Sequence, residues 1–261
     1  MHGYADFGRA LIAEAEALAG DPRRGLEVAH AELETTDRER PLLQRAVGIA
    51  LARVGEILSD PGRLEEAEEH LRRARRVWSA TREPQAVAFS DMLLGRLAVR
   101  RGDCQVGLPM LERSTRTLRG FNMHGYADFG RALIAEAEAL AGDPQRGIEV
   151  AQAELDTADR ERPLLQRAVG IALARVGEAD AAGRELTAAL TCARERGAQY
   201  EIAATIDALA ALDCAGAEML RERDEILDAL KVVRLPAPAL ATVGGGSGGG
   251  RGLRRRTGPP A

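Results

Sequence analysis

The stretch MHGYADFGRALIAEAEALAGDPRRGLEVAHAELETTDRERPLLQRAVGIALARVGE, residues 1–56, returns at residues 123–178 as MHGYADFGRALIAEAEALAGDPQRGIEVAQAELDTADRERPLLQRAVGIALARVGE. Only five positions differ, all mildly: Arg23/Gln145, Leu26/Ile148, His30/Gln152, Glu34/Asp156 and Thr36/Ala158. Self-similarity at a fixed offset marks an array of stacked units, not one globular fold built around one site. Arrays of this kind present surfaces, so the duplication points toward a binding scaffold.

A finer period runs inside the duplication. Glycine followed by an acidic residue punctuates the chain at Gly20-Asp21, Gly55-Glu56, Gly102-Asp103, Gly142-Asp143 and Gly177-Glu178, with gaps of 35, 47, 40 and 35 residues. Each glycine follows one apolar helical pattern and precedes another, where a tight helix–helix turn needs the left-handed conformation that glycine adopts freely. Between Pro41 and Val54 the apolar residues Leu42, Leu43, Ala46, Val47, Ile49, Ala50, Leu51 and Val54 form a wide stripe at three–four spacing. Pro41 suits the first turn, where its missing N–H costs nothing. The spacing predicts first helices of hairpins near 5–19, 40–55, 84–101, 126–141, 162–177 and 198–213. Second helices are expected near 22–35, 62–80, 104–119, 144–157 and 179–196, and a last helix near 215–231. The expected fold is all-α.

Composition agrees. Aromatic residues are 3% of the 261, and the apolar content comes mainly from Ala, Leu and Val. Strands want β-branched and aromatic side chains, whereas Glu, Ala, Leu and Arg favour helix. The net charge is −4, but the segment after Leu235 carries Arg251, Arg254, Arg255 and Arg256 and no acid. The body is therefore more acidic than the whole and is a poor non-specific binder of nucleic acid. Pro236-Ala237-Pro238, the glycine run at 244–250 and the arginines cannot bury apolar surface. The expected organisation is a helical repeat domain over 1–234 and a disordered Pro/Gly/Arg tail over 235–261. Cys104, Cys192 and Cys214 are odd in number and far apart, which suits a reducing cytoplasm. No signal-peptide pattern follows Met1, and no apolar run approaches the roughly 20 residues that span a bilayer.

The hairpins resemble the tetratricopeptide repeat family. Gly62-Arg63-Leu64-Glu65-Glu66-Ala67 with Leu71 and Ala74 is similar to its second-helix pattern, as are Ala182, Leu186 and Ala189. Val47-Gly48 with Gly55-Glu56, and Leu94-Gly95 with Gly102-Asp103, are similar to its first-helix pattern. The resemblance spans roughly residues 5–212. It departs at Gly25 and Gly107, where alanine is usual, and in lacking the usual aromatics; the longer gaps overlap other helical arrays such as HEAT repeats. It implies a right-handed α-solenoid of about five to six hairpins.

A second resemblance rests on Arg162-Pro163-Leu164-Leu165, Tyr200-Glu201-Ile202-Ala203, Arg223-Asp224-Glu225-Ile226-Leu227 and Val232-Val233-Arg234-Leu235-Pro236. These resemble the C-terminal end of actinobacterial signalling proteins that carry an adenylate/guanylate cyclase or STAND-type ATPase domain ahead of helical repeats. This chain contains neither domain, so the resemblance implies a regulatory or partner-sensing region, or a detached C-terminal piece of such a protein.

Motifs for catalysis are missing: no G-x-x-x-x-G-K-[ST] loop, no H-E-x-x-H, no nucleophile elbow and no metal-ligand spacing among His2, His30, His70 and His124. The chain reads as a non-enzyme without cofactor. Glu14 with Glu16, and Glu65-Glu66 with Glu68-Glu69, read as surface ion-pair faces, and His70 as an exposed histidine.

In the resembled family the first helices line a concave groove. If Gly48, Gly95 and Gly170 mark the tight crossings, the groove-facing positions include Arg45, Ile49 and Arg53, then Met92, Arg96 and Arg100, then Arg167, Ile171 and Arg175. Arg45 and Arg53 are eight apart and lie on one face about two turns distant, as do Arg167 and Arg175. Arginine grips carboxylates bidentately, so this row suits an acidic or C-terminal peptide of a partner protein. The competing reading pairs these arginines with glutamates of neighbouring repeats. The tail arginines suggest a further, weaker role as a salt-sensitive nucleic-acid adaptor.

The duplication leaves one question at the start. Residues 127–140 have a preceding helix to pack on, whereas residues 5–18 carry the same side chains and none. That face is expected to be exposed, used for self-association or covered by sequence outside this chain, and the first hairpin to be less ordered than its copy.

Overall fold

A computed structural model describes residues 27–31, 64–156, 159, 161–230 and 235. Residues 27–31 are helical and fall inside the second helix expected near 22–35. The helices expected near 5–19 and 40–55, the comparison of the first hairpin with its copy, and the tail lie outside the described residues.

Among the described residues the chain is all-α, with no strand. The order is α1 (Leu64–Ala80), α2 (Pro84–Arg101), α3 (Cys104–Gly120), α4 (His124–Ala141), α5 (Pro144–Leu155), α6 (Arg162–Arg175), α7 (Ala179–Glu195), α8 (Gln199–Ala210) and α9 (Ala217–Leu230). Their boundaries agree with the sequence pattern to within a few residues. The cause is visible in α1, where Ala67, Leu71, Ala74 and Trp78 recur at helical spacing and are all buried.

The turns share one device. Six of them place a residue at positive φ within three residues of the helix end: Arg82, Gly102, Asn122, Gly177, Gly197 and Asp213. At each, that residue and its successor bond back to the helix as a Schellman cap. After α2, Gly102 N–H donates to Val99 O (2.9 Å) and Asp103 N–H to Ala98 O (2.9 Å). Glycine marked only part of this series in the sequence, because Arg82, Asn122 and Asp213 accept the same backbone despite their Cβ atoms. Gly142 is different: its φ is −92°. Glycine is needed there for room, since a Cβ would come within 2.9 Å of the Glu138 Cα. Asp143 then caps α5, accepting from Gln145 N at 2.9 Å, with Pro144 in the first turn.

Each helix packs on its neighbour in sequence. In addition α2 packs on α4, α4 on α6 and α6 on α8, whereas the backbones of α1, α3, α5, α7 and α9 stay apart from one another. The even-numbered helices thus form a continuous inner layer and the odd-numbered ones stand apart on the other side. Glycines set the closest approaches. A Cβ on Gly107 would lie 2.7 Å from Gly95 O and 2.6 Å from Val99 Cγ2, so α2 and α3 cross backbone to backbone. A Cβ on Gly170 would lie 2.6 Å from Leu186 Cγ, bringing α6 onto α7. Gly107 departs from the alanine usual in the resembled family, and the crossing leaves no room for that alanine. Gly48 and Gly25 lie outside the described residues.

Candidate functional site

The arginines expected to line an open groove divide into three groups. Arg45 and Arg53 lie outside the described residues. Arg96, Arg100 and Arg167 are brought together on the inner layer but are buried, with residue exposures of 7, 9 and 2%. Arg175 turns away from them, and its Nη1 donates to Glu138 O (2.9 Å) and Ala139 O (3.1 Å) at the C-terminal end of α4. A guanidinium there satisfies carbonyls that lack intrahelical partners and complements the negative end of the helix dipole. Met92 and Ile171, also placed in the groove by the spacing, are core residues.

Arg167 is the centre of the inner layer. Its Nη2 lies 3.0 Å from Glu136 Oε1 on α4 and 2.9 Å from Glu201 Oε2 on α8, while its Nε donates to the same Glu201 oxygen at 3.2 Å. Successive inner helices therefore alternate in charge, from Arg96 and Arg100 on α2, to Glu136 on α4, to Arg167 on α6, to Glu201 on α8. Aromatic rings complete the arrangement. The Arg96 Cζ stands 5.9 Å from the Phe129 ring centroid, and the Arg100 Cζ 5.2 Å from that of Tyr200. Tyr200 is on α8 and Arg100 on α2, so this contact reaches across α4 and α6 and closes the layer over its arginines.

Burial pushes the Glu136 carboxyl up, but Arg167, Arg96 and Arg100 together outweigh it and hold the group below the usual carboxylate range. Arg167 is pulled down by burial and pushed up more strongly by Glu201 and Glu136, so it stays charged. The ladder is an ionic network committed to joining hairpins. The reading of Arg167 as a ligand-gripping residue is corrected on this point: its guanidinium faces two carboxylates and is shut away from solvent.

Glu14 and Glu16, read as a surface ion-pair face, lie outside the described residues; Glu136 and Glu138 are both 3% exposed. Glu138 accepts from Asp143 N (2.8 Å) and pairs with Arg146 Nη1 (3.0 Å). His70 is half-buried. The sequence did hold a signal for this. Within the apolar pattern of α4 the run Ala135-Glu136-Ala137-Glu138-Ala139 places acids between alanines that are all buried. Small residues on every side of a helix signal close neighbours all round.

Open grooves lie on the outer side among the described residues. One, of about 670 Å³, lies between α1 and α3 above α2. Another, of about 250 Å³, lies between α3 and α5 above α4. Among the described residues no cluster of His, Cys, Asp and Glu could hold a metal ion, and no helix is long and apolar enough to cross a membrane. Cys104 is buried; burial and Glu138 push its thiol up, away from the reactive thiolate.

No protein-family model matches this chain, and no curated protein sequence matches it either.

Proposed function

We propose that this chain is a protein–protein interaction scaffold, built as a right-handed, tetratricopeptide-like α-solenoid and serving as the regulatory or partner-sensing region of a bacterial signalling protein in the cytoplasm. One observation carries the reading: the helices pack only on sequence neighbours and along one inner layer, which leaves the outer helices apart with open grooves between them. An arrangement of this sort invests its sequence in extended surface instead of an enclosed pocket. A protein or acidic peptide is the expected partner. Affinity capture with the full chain from a lysate of its source organism tests the proposal. Specific, reproducible enrichment of a partner is expected, and enrichment indistinguishable from a bait-free control would overturn it.

The resemblance of Arg162-Pro163-Leu164-Leu165, Tyr200-Glu201-Ile202-Ala203 and residues 223–236 to the ends of cyclase and STAND ATPase proteins favours a second, related reading, in which the chain belongs to such a protein. An in-frame P-loop or cyclase domain in the DNA upstream of Met1 would support it; a promoter and stop codon there would remove it.

A further inference from the structure

Neighbouring outer helices keep their backbones apart, so they meet across each gap only through long side chains. Across the α3–α5 gap, Arg146 pairs with Glu112. Across the α7–α9 gap, Arg194 pairs with Glu222. The α1–α3 and α5–α7 gaps have no such pair among the described residues. Counted from the buried small residue of each helix (Ala67, Gly107 and Gly147), the positions matching Glu112 and Arg146 are Arg72 and Val106. An arginine replaces the acid, and an exposed valine replaces the arginine.

Both walls of this groove are therefore basic. Arg72, Arg75 and Arg76 line it from α1 and Arg113 from α3, against one lining acid, Asp91. Arg72 is held by Glu68 (2.6 Å) and Arg75 by Asp91 (2.5 Å). The guanidinium groups of Arg76 and Arg113 engage no partner among the described residues. They stand on opposite walls of the groove, Arg76 on α1 and Arg113 on α3, and both are exposed. The floor between them is partly apolar, with Val87, Leu94 and Met110 half-buried. The neighbouring groove differs in degree. Its Arg131 and Arg146 are taken up by Glu154, Glu112 and Glu138, and Arg119 lies 4.0 Å from Asp128; Arg116 alone engages no partner among the described residues, so no pair of unengaged arginines faces across that groove.

We infer that the α1–α3 groove is a docking site for an acidic amphipathic helix of a partner protein. Its carboxylates bridge Arg76 and Arg113, and its apolar side chains rest on Val87, Leu94 and Met110. A helix laid between α1 and α3 would repeat, with a partner's acids, the bridge that Glu112 supplies to Arg146 one hairpin further on. Helix-in-groove docking uses apolar anchors for affinity and flanking charge for orientation and association rate.

The inference rests on the scaffold reading and names one of its surfaces. The test uses the full chain and a fluorescein-labelled amphipathic peptide of repeated Glu-Leu-Glu-Glu-Leu-Glu-Glu heptads, with a lysine-for-glutamate version as control. Fluorescence anisotropy is read for the wild type, for R76E/R113E, and for R184E/R221E, which reverses two exposed arginines far from the groove. Circular dichroism checks that each variant keeps its helix content. The acidic peptide is expected to bind the wild type and R184E/R221E alike. R76E/R113E should weaken it by roughly tenfold or more, with the difference shrinking as salt screens the charges. No binding to the wild type, binding of the lysine peptide as strong as that of the acidic one, or equal losses in the two variants would overturn the inference. Affinity capture that persists in R76E/R113E would sink the groove and leave the scaffold; capture that fails in the wild type would sink the scaffold.

Discussion

Replacing Arg167 by methionine tests whether the inner layer is held together by its ionic ladder. The guanidinium is 2% exposed and its two acid partners differ: the Glu136 side chain is 4% exposed, that of Glu201 19%. Methionine fills much of the space of the arginine stem, so loss of packing is the smaller part of the effect. The larger part is a carboxylate at Glu136 stranded in the interior. Removing one member of a buried pair typically costs about 3–5 kcal/mol. Arg96 and Arg100 still act on Glu136, and Glu201 can reach water, so the lower end is expected, about 3 kcal/mol. In hydrogen exchange this is roughly a 150-fold loss of protection, at about 1.4 kcal/mol per tenfold, concentrated in α4 and α6. Urea unfolding followed by circular dichroism should show the same loss. Stacked arrays do not always unfold in one step, so the exchange pattern is the firmer readout. The double variant E136Q/R167M removes the stranded charge and should recover part of the loss. A loss below about 1 kcal/mol for R167M, or a double variant as unstable as R167M, would refute the account of Arg167 as the tie between hairpins.

Three more outcomes follow from other contacts. Because the folded Glu136 carboxyl lies below its ordinary range, its stabilisation is complete above the unfolded value near about 4.3 and is lost as pH falls through the lower folded value; urea midpoints should drop below about pH 4 and the drop should be shallower in E136Q. Gly107→Ala forces a Cβ to 2.7 Å from Gly95 O, so overpacking of about 1–3 kcal/mol should outweigh a helix-propensity gain of about 1 kcal/mol; Gly125→Ala meets open space and should be neutral or slightly stabilising, and equal thermal shifts for the two would contradict the crossing geometry. Arg82→Gly relieves a non-glycine residue at φ 59° and should stabilise by roughly 0.5 kcal/mol after the entropy cost of glycine, whereas Gly177→Ala, at φ 88°, should destabilise by about 1 kcal/mol in the same melts.

Much of this architecture was legible in the chain. Helix positions from residue 64 onward followed from periodic Leu, Ala and Val, and the crossings at Gly95 and Gly170 from glycines inside strong helical patterns. Of the six Schellman turns only Gly102 and Gly177 were read: Gly197 is not followed by an acid, Asn122 and Asp213 tolerate a left-handed backbone without requiring it, and Arg82 does not announce one. The arginine row was found, and for Arg167 the competing reading, pairing with glutamates of neighbouring repeats, is the one seen; which glutamates these are, and that the group is buried, were not legible. Spacing on one helix identifies a face without saying what stands opposite, and the partners of Arg167 lie 31 residues before it and 34 after it.

The linear pattern was enough to establish an all-α chain and its repeated hairpins, because helix formation and the burial of one apolar stripe are local properties with a period of about 3.6 residues. The fate of the charges was not local. Arg167 stands among Leu164, Leu165, Ala168 and Val169, and Arg76 among Arg72, Arg73 and Arg75; the local sequence separates an apolar stretch from a basic one but names the partner of neither. Stacking placed Glu136 and Glu201 around Arg167 and shut it in, while the α1–α3 gap set Arg76 across from another arginine. Electrostatic energy depends on distances between helices far apart in sequence, and those distances exist only once the hairpins are packed.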